Sequence, residues 1–345
     1  MNEIKSMNRL RCPLTKDFND LFFSLVDYHN TFFMSNDPKK IIEFYDHFKT
    51  RDELIKWMKE RPKGANYIHE VDGNKDIIVV IPTADFNGRY AKACRDEIFK
   101  GLHMIFVESG GKGDYYFNYA HNCNVGIKKA LEYSPKWIIQ SGDDMYKIDD
   151  ISVLVEQLKI VNNEEYGAVF FNPPHFYYSK IDYVAKNRFP TFKKLIGYLY
   201  NLLFRKENAK LYKINYFNNI KFQPIEGYPK INNKKENILI IFFYKIFYKK
   251  ILEFKDYWSI GIFSTQMINK FLERNGYFFD EIFINAIEDI DSAISIKLSN
   301  FKTTEINFRI NPIIGGTLGN DIDRNLRAVA GLTYLSYKLE KVFEK

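Results

Sequence analysis

The sequence predicts an α/β protein with a mostly parallel central sheet flanked by helices. From residue 76 onward, short apolar runs alternate with helical patterns in the order strand, helix, strand, helix, strand. This alternation is typical of a doubly wound parallel sheet. The apolar run that begins at Trp137 leads within a few residues to Asp143 and Asp144. Because the carboxyl ends of such strands face the ligand crevice, these two acids mark a candidate site.

The composition is that of a globular protein without a disulfide framework. The 345 residues are 46% hydrophobic and 17% aromatic, which suits one large domain or two smaller ones and argues against wholesale disorder. Cys12, Cys94 and Cys123 are too few and too scattered for a disulfide framework or a cysteine zinc site, which favours a reducing compartment. The net charge of +7 suits acidic partners such as phosphates, nucleic acid or anionic lipid heads.

The expected location is the cytoplasm. Residues 1–11 lack the apolar core of a signal peptide, and the longest apolar run, 238–244, is too short to span a bilayer. Two segments, 193–205 and 238–254, mix large apolar residues with lysine and arginine. They are either ordinary core helices with solvated lysines or helices at a lipid interface, so a peripheral membrane contact stays open.

The chain is expected to contain two regions. Residues 1–75 are predicted to form an N-terminal helical region, in which Thr50 and Glu53 make a capping-box pair. Residues 76–345 are predicted to form the main domain, with a helical insertion at about 175–256.

The elements of the main domain follow from hydrophobic periodicity and from capping residues. The expected strands are 77–81, 104–107, one beginning at 137, 168–171, 258–263 and 305–310. The expected helices are 89–99, 125–133, one beginning at 149 or 150, 264–275, 288–298 and 324–337.

Residues able to carry chemistry follow these elements in a fixed order. Adjacent carboxylates such as Asp143 and Asp144 repel each other unless a cation lies between them or water solvates them well. Their oxygen ligands suit Mg²⁺ or Mn²⁺. The ordered features are Ile81-Pro82-Thr83 with Asp85, Glu108-Ser109-Gly110, Asn124-Val125-Gly126, Asp143-Asp144, and Gly276-Tyr277-Phe278-Phe279-Asp280-Glu281 followed by Glu288-Asp289-Ile290-Asp291.

Taken in this order, the features resemble those of the GT-A glycosyltransferases, most closely the large inverting family 2. That family carries an IPTYN-like first strand, a VDDGS-like second strand, N-x-G before a helix, a DxD-type motif, and GGFDE followed by ED-x-D in the acceptor half. The resemblance spans roughly residues 76–320. It departs from the family twice, because Gly142 replaces the first of three acids and residues 311–316 contain no histidine where many relatives supply one.

The resemblance implies a GT-A-like, Rossmann-related fold and a hexosyltransferase type of enzyme. The implied donor is a nucleotide-diphosphate sugar, and the acceptor is a hydroxyl of a glycan, a lipid-linked molecule or a protein, with inversion and without a nucleic-acid partner. Asp144 is the implied ligand of Mn²⁺ or Mg²⁺, Asp143 lies beside the sugar or ribose, and Asp289 is the implied general base. The other implied donor-site residues are Pro82, Thr83, Asp85, Glu108, Ser109 and Asn124.

The acids at the strand ends have simpler alternatives. Asp143 and Asp144 also suit a polar turn that caps the following helix. Asp85 and Glu108 also suit a helix N-cap or a solvated loop. His121 receives no role, since a lone histidine in a turn is more often structural or exposed than a ligand.

The acceptor half leaves the base and the function open. Glu288 or Asp291 could replace Asp289 as the base, and all three could merely cap their helix, where negative charge is favourable. One rival function is a nucleotidyltransferase on a related fold, for which residues 85–89 are a poor match to the usual basic, glycine-rich loop. The other is a non-catalytic protein that binds nucleic acid or glycan on a degenerate transferase fold.

Overall fold

The chain folds around a seven-stranded mixed sheet with helices packed on both faces. The computed structural model describes residues 35, 37–48, 50–109, 117–171, 177–183, 250–257, 259–313 and 322–343. The strands are β1 Tyr67–Val71, β2 Asn74–Thr83, β3 Leu102–Glu108, β4 Trp137–Ser141, β5 Met145–Lys147, β6 Tyr166–Phe171, β7 Tyr177–Tyr183, β8 Lys250–Asp256, β9 Ile260–Ser264, β10 Lys302–Ile306 and β11 Ile310–Pro312.

The helices are α1 Pro38–Asp46, α2 Arg51–Glu60, α3 Arg89–Ala93, α4 Tyr119–Leu131, α5 Ile151–Ile160, α6 Thr265–Asn275, α7 Glu288–Leu298 and α8 Ile322–Phe343. A π-helical turn, Cys94–Ile98, continues α3.

The strand order in the central sheet is β1-β3-β2-β4-β9-β6-β10. β3, β2 and β4 run parallel, and β10 runs parallel to β6. β9 is antiparallel to both β4 and β6, and β1 is antiparallel to β3. The predicted α/β class, with a central sheet flanked by helices, is therefore confirmed. The sheet is mixed and not mostly parallel, because three of its six strand pairings are antiparallel. β5 pairs with β11, and β7 pairs with β8, in two small separate sheets.

Alternation along β2 sends its side chains into two cores. Ile78 and Val80 join the core beneath α4, whereas Ile77 and Val79 join the core beneath α3 and α5. Gly126 allows α4 to lie directly on the sheet, because a Cβ there would be 2.4 Å from Val80 Cγ1. The sequence is hydrophobic on both sides of β2 because both faces of this sheet are covered.

The N-terminal helices are joined to the C-terminal helix. α2 begins as predicted, with the Thr50 side chain accepting a hydrogen bond from the Glu53 N–H at 3.2 Å. On α1, Tyr45 Oη donates to the Leu326 carbonyl at 2.8 Å and accepts from the Ala330 N–H at 3.1 Å. Both partners belong to α8, so the two ends of the described chain pack together.

The prediction that residues 1–75 form a helical region needs correction, because this region is not wholly helical. It also contains β1, which pairs with β3 from Tyr67 opposite Glu108 to Val71 opposite Met104. The central sheet therefore begins before residue 76. A strand of this kind depends on a partner that is distant in sequence, which a local pattern does not reveal.

Three other predictions need correction. The helix predicted at 125–133 begins earlier, because the Asn118 side chain caps it by accepting from the His121 N–H at 2.8 Å. The strand predicted at 305–310 is divided into β10 and β11. The predicted helix 238–254 overlaps β8, whose residues 250–256 pair with β7. The remainder of that segment, and the segment 193–205, lie outside the described residues. Every helix in the described part of the chain is too short or too polar to serve as a transmembrane segment.

Replacing Gly126 with alanine should destabilise the fold. The new Cβ would lie 2.4 Å from Val80 Cγ1 and 3.0 Å from Val107 Cγ2, so α4 would have to move away from the sheet. We expect a net loss of about 1–2 kcal/mol in the free energy of unfolding, measured with urea, despite the better helix propensity of alanine. Lys128→Ala, on the exposed side of α4, should change it by less than about 0.5 kcal/mol. A Gly126→Ala variant at least as stable as the wild type would contradict this close packing.

Candidate functional site

The carboxyl ends of β2 and β4 bring Thr83 and Asp143 into contact. Thr83 Oγ1 donates a hydrogen bond to Asp143 Oδ2 at 2.7 Å, and both side chains are buried. The strands are adjacent and parallel, so their ends lie at the same edge of the sheet. Two of the predicted donor-site residues therefore lie together.

The environment of Asp143 disfavours its charge. Its pKa is raised to about 6, mainly by burial and also by the charge of Asp144, against the opposing hydrogen bond from Thr83. The helix-capping alternative does not hold for this pair, because the Asp150 side chain caps α5 by accepting from the Ser152 N–H at 3.1 Å. A neighbouring cation would relieve the repulsion between the two carboxylates.

The turn after β4 leaves room for the Asp144 carboxylate. A Cβ on Gly142 would lie 3.0 Å from Asp144 Oδ1, so a side chain at position 142 would press on that oxygen. The Asp144 carbonyl accepts a hydrogen bond from the Ile313 N–H at 2.7 Å, next to the β5–β11 pairing. Asp144 is half-buried and reachable from solvent. Gly142, where the family pattern is broken, thus accommodates the carboxylate predicted to bind the metal.

The two acids after β4 suit a metal ion that would also be bound by the phosphates of a substrate. Among the described residues there is no cluster of three or more histidine, cysteine or acidic side chains suited to a metal ion. Mg²⁺ typically uses one or two carboxylates together with phosphate oxygens and water. Asp143 and Asp144 supply two adjacent carboxylates, one of which has a raised pKa that a cation would lower. The donor set therefore suits such an ion.

The end of β3 presents Glu108 and Ser109. Glu108 Oε2 lies 2.6 Å from Nε2 of His69, a β1 residue. The Ser109 N–H donates to the Thr83 carbonyl at 3.2 Å, which joins the ends of β3 and β2. Ser109 Oγ is buried and has no hydrogen-bond partner within the described part of the chain. Since an unpaired buried hydroxyl costs free energy, a polar ligand group at this point would be stabilising.

Pro82 and Asp85 have structural contacts of their own. Pro82 is buried within β2, opposite Val107 of β3. Asp85 is exposed, and its Oδ1 accepts from the Asn87 N–H at 2.8 Å. These contacts match the alternative in which Asp85 is a loop acid that shapes a turn. A nucleotide contact by either residue stays a prediction.

Asn124 holds the protein together and has no capacity left for the predicted ligand. It lies inside α4, where Nδ2 donates to the Phe279 carbonyl at 2.7 Å and to Glu281 Oε1 at 2.9 Å. Its Oδ1 accepts from the N–H groups of Phe278 and Phe279 at 3.2 and 3.0 Å. Four bonds use both amide hydrogens and both lone pairs. Asn124 therefore positions the 278–281 loop, which corrects its assignment to the donor site.

Asp291 belongs to a buried ion-pair network. Lys338 Nζ lies 2.7 Å from Asp291 Oδ2 and 2.8 Å from Asp280 Oδ2. The hydroxyls of Tyr277 and Tyr334 donate to the same Asp280 oxygen, each at 3.1 Å. The pKa of Asp291 is raised to about 6 by burial, against the opposing effect of Lys338. These contacts make Asp291 a structural residue and remove it as an alternative base.

The first turn of α7 carries the remaining acids. Glu288 is buried, whereas Asp289 is half-buried and accepts a hydrogen bond from the next backbone N–H at 2.8 Å. The preceding Ile287 has φ of +77°, a left-handed conformation that is strained for a β-branched side chain. Gly331 of α8 allows close support of this turn, since a Cβ there would lie 2.7 Å from the Ala286 carbonyl oxygen.

A partly buried tyrosine connects the strand that precedes Asp143 and Asp144 with the segment that precedes α7. Tyr119 begins α4, and its hydroxyl accepts a hydrogen bond from Gln140 Nε2 at 2.6 Å. The pKa of Tyr119 is raised well above its ordinary value, first by burial and further by nearby groups that include Glu288, Asp144 and Asp289. The Tyr119 N–H also donates to Asn285 Oδ1 at 2.9 Å, so this residue joins β4 to the segment that leads into α7.

Some residues of this site were missed in the sequence. Gln140 and Lys338 gave a signal, because each is a polar residue at a position where the pattern of β4 or α8 is apolar. Tyr119 gave none, since an aromatic residue near a helix start suits many roles. His69 could be found only through the pairing of β1 with β3.

Asp143→Asn should stabilise the metal-free protein as pH rises. The pKa of this carboxyl is about 6 in the folded protein, against an ordinary value of 3.8, so the folded state binds its proton more tightly than the unfolded state does. The resulting stability is fully present below pH 3.8 and is lost as pH rises through about 6. The amide cannot ionise. Urea unfolding in EDTA should show the variant gaining about 1–3 kcal/mol over the wild type between pH 4 and pH 7.5.

Asp150→Asn serves as the control for this titration. The pKa of Asp150 is lowered to about 2, mainly by the hydrogen bond from the Ser152 N–H, so its contribution to stability is lost only as pH falls toward 2. This variant should not gain stability over the wild type between pH 4 and pH 7.5. Equal behaviour of the two variants would show that burial does not disfavour the Asp143 charge.

Lys338→Met should destabilise the protein strongly. It would leave Asp280 and Asp291 buried without the cation that lies within 2.8 Å of both. Breaking a buried ion pair on one side costs about 3–5 kcal/mol, which chemical denaturation would measure. Lys297→Met makes the same chemical change on the exposed side of α7 and should cost less than about 0.5 kcal/mol. A similar small loss for both variants would mean that the network is not buried in solution.

Comparisons with protein-family models, with curated proteins and with solved structures find no match to this chain. The assignment of a function therefore depends on the chemistry of the residues at these strand ends and at the start of α7.

Proposed function

We propose that this chain is a GT-A-like glycosyltransferase, which moves a sugar from a nucleotide-diphosphate sugar to an acceptor hydroxyl in a metal-dependent, inverting reaction. The observation that carries the proposal is the pair of hydrogen bonds by which Tyr119 joins β4, through Gln140, to the segment before α7, through Asn285. Asp143 and Asp144 follow Gln140 closely in the chain, and Glu288 and Asp289 follow Asn285. A displacement needs a leaving-group side and an acceptor side held close together in this way.

The donor side is formed by the ends of three parallel strands. Thr83 fixes the Asp143 carboxylate. Glu108 and the Ser109 hydroxyl, which has no hydrogen-bond partner among the described residues, offer polar groups to a nucleoside. Asp144, with Asp143 beside it, would hold Mn²⁺ or Mg²⁺, which stabilises negative charge on a leaving diphosphate. The mildly basic chain suits such a phosphorylated substrate.

The acceptor side has one acid best suited to be the base. Asp289 is half-buried, so an acceptor hydroxyl can reach its carboxylate and transfer a proton to it. Glu288 is buried, and Asp291 is paired with Lys338. Inversion at the anomeric carbon follows from a single displacement assisted by one base, as in the family that the sequence resembles.

The acceptor and the surroundings follow from the same resemblance. A glycan, a lipid-linked molecule or a protein hydroxyl would suit the reaction, whereas a nucleic-acid partner is not expected. A cytoplasmic location and a peripheral membrane contact through the insertion at 175–256 remain predictions.

The loop after β2 favours sugar transfer over nucleotide transfer. A nucleotidyltransferase would usually have a glycine-rich loop with basic side chains around the phosphates at this point. Here Phe86 anchors the loop, with its ring stacked on His69 and its carbonyl accepting from Arg95. Arg95, the nearby cation, is thus engaged by the loop itself.

The identity of the released product tests the proposed function. The protein would be incubated with a panel of nucleotide-diphosphate sugars and Mn²⁺, and the products separated by anion exchange. Release of nucleoside diphosphate is the expected outcome. Release of pyrophosphate would indicate a nucleotidyltransferase. No turnover, with no metal-dependent binding of any nucleotide, would favour the non-catalytic alternative.

Asp289→Asn should reduce turnover by about 10²–10⁴-fold, because the acceptor hydroxyl loses its proton acceptor. The affinity for a nucleoside diphosphate with Mn²⁺, measured by calorimetry, should not change. Asp144→Asn should instead weaken the Mn²⁺-dependent binding of the nucleoside diphosphate. Asp96→Asn, at an exposed acid on the π-helical turn, is the control and should alter neither quantity. Wild-type turnover in Asp289→Asn would assign the base to another residue.

A further inference from the structure

His69 lies where two segments of the donor side meet. It projects from β1 opposite Phe106 of β3. Its Nε2 lies 2.6 Å from Oε2 of Glu108, at the end of β3. Its ring stacks on Phe86, in the loop after β2, with ring centroids 4.2 Å apart and planes within 4°. One side chain therefore touches both the β2 loop and the β3 carboxylate.

Phe86 is held on both faces. The flat stack with His69 covers one face of its ring, and the Arg95 guanidinium carbon lies 4.2 Å from the ring centroid. Because the His69 ring and the Arg95 guanidinium both lie so close to the Phe86 ring, they must occupy opposite faces of it. The edge of the ring also contacts Phe106 at a centroid distance of 5.3 Å. Phe86 therefore cannot stack on a ligand, and its role is to fix the loop against His69.

Glu108 has one oxygen engaged by His69 and one available. Oε2 contacts His69, whereas Oε1 has no hydrogen-bond partner among the described residues, and the side chain is 27% exposed. A carboxylate bound through one oxygen has fewer orientations to lose when the other accepts a hydrogen bond from a ligand. Ser109, the next residue, carries the buried hydroxyl that has no hydrogen-bond partner in the described part of the chain. Glu108 Oε1 and Ser109 Oγ thus belong to consecutive residues at the point where β3 ends.

We propose that His69 is a positioning residue for the nucleoside half of the donor. It orients Glu108 through a hydrogen bond and fixes the β2 loop through the stack on Phe86. This inference rests on the proposed function, since it assumes that a nucleotide binds at these strand ends. It assigns β1, which lies outside the stretch that resembles the transferases, a part in donor recognition through Glu108 and the β2 loop.

Two substitutions separate the two contacts of His69. His69→Phe keeps a ring for Phe86 but loses the hydrogen bond to Glu108. His69→Gln keeps an N–H at similar reach and loses the ring. Dissociation constants would be measured by calorimetry with Mn²⁺ for uridine, guanosine, adenosine and cytidine diphosphates, and for inorganic pyrophosphate as a probe of the metal side alone. Thermal unfolding of each unliganded variant would show that it is folded.

The tightest nucleoside diphosphate should bind His69→Phe about tenfold more weakly than the wild type, as expected for loss of a charge-assisted hydrogen bond. His69→Gln should recover most of that affinity. Pyrophosphate affinity should be the same in all three proteins. A purely structural role would not produce this difference between nucleotide and pyrophosphate.

The control is a similar histidine on the opposite face of the same strands. His103 Nε2 lies 3.1 Å from Oε2 of Glu70, so His103→Gln changes a matched pair away from the donor side. Its nucleotide affinity should equal that of the wild type. Wild-type nucleotide affinity in His69→Phe would overturn this inference alone, as would equal weakening of pyrophosphate. A wild-type protein that binds none of the four nucleotides would overturn the proposed function as well.

Discussion

The Asn124 side chain, whose amide has all its hydrogen-bonding positions occupied, fixes the distance between the central sheet and the 278–281 loop. The rest of the site depends on this contact. Through Gly126 the same helix lies against β2 and β3, whose ends carry the proposed donor side. Through Asn124 it holds the 278–281 loop, which precedes the acids of α7. A shift of α4 would therefore change the distance between the proposed donor side and the proposed acceptor side. Because a buried amide with four partners has no alternative arrangement of equal energy, this distance is well defined.

The buried charges around Lys338 perform a second positioning task. Asp280 lies in the loop that Asn124 holds, and Asp291 lies in the first turn of α7. One ammonium group joins both to α8, whose Gly331 supports the strained turn at Ile287. Such a network contributes less to net stability than its distances suggest, because each charge must be desolvated. Its effect is on geometry, since a buried carboxylate can be satisfied in few positions.

Much of the central sheet could be predicted, and the site only in part. β2, β3 and β4 were evident because their apolar runs are local, and Asp143 was evident because it follows such a run directly. β1 was not, since a half-exposed strand is defined by its partner. The role of Asn124 was misassigned for a related reason: its motif spacing suits a ligand contact, while its four partners lie far away in sequence. Hydrogen bonds between polar side chains and residues distant in the chain produce no periodic pattern in the sequence.

The glycine before the two acids has a consequence for how such a site can change. Any side chain at position 142 competes for space with the Asp144 carboxylate, 3.0 Å from where its Cβ would be. An acid placed at position 142 would therefore press on the carboxylate of Asp144, the residue proposed to bind the metal. That carboxylate would have to move by a few tenths of an ångström, so the orientation of Asp144 depends on the residue that precedes Asp143.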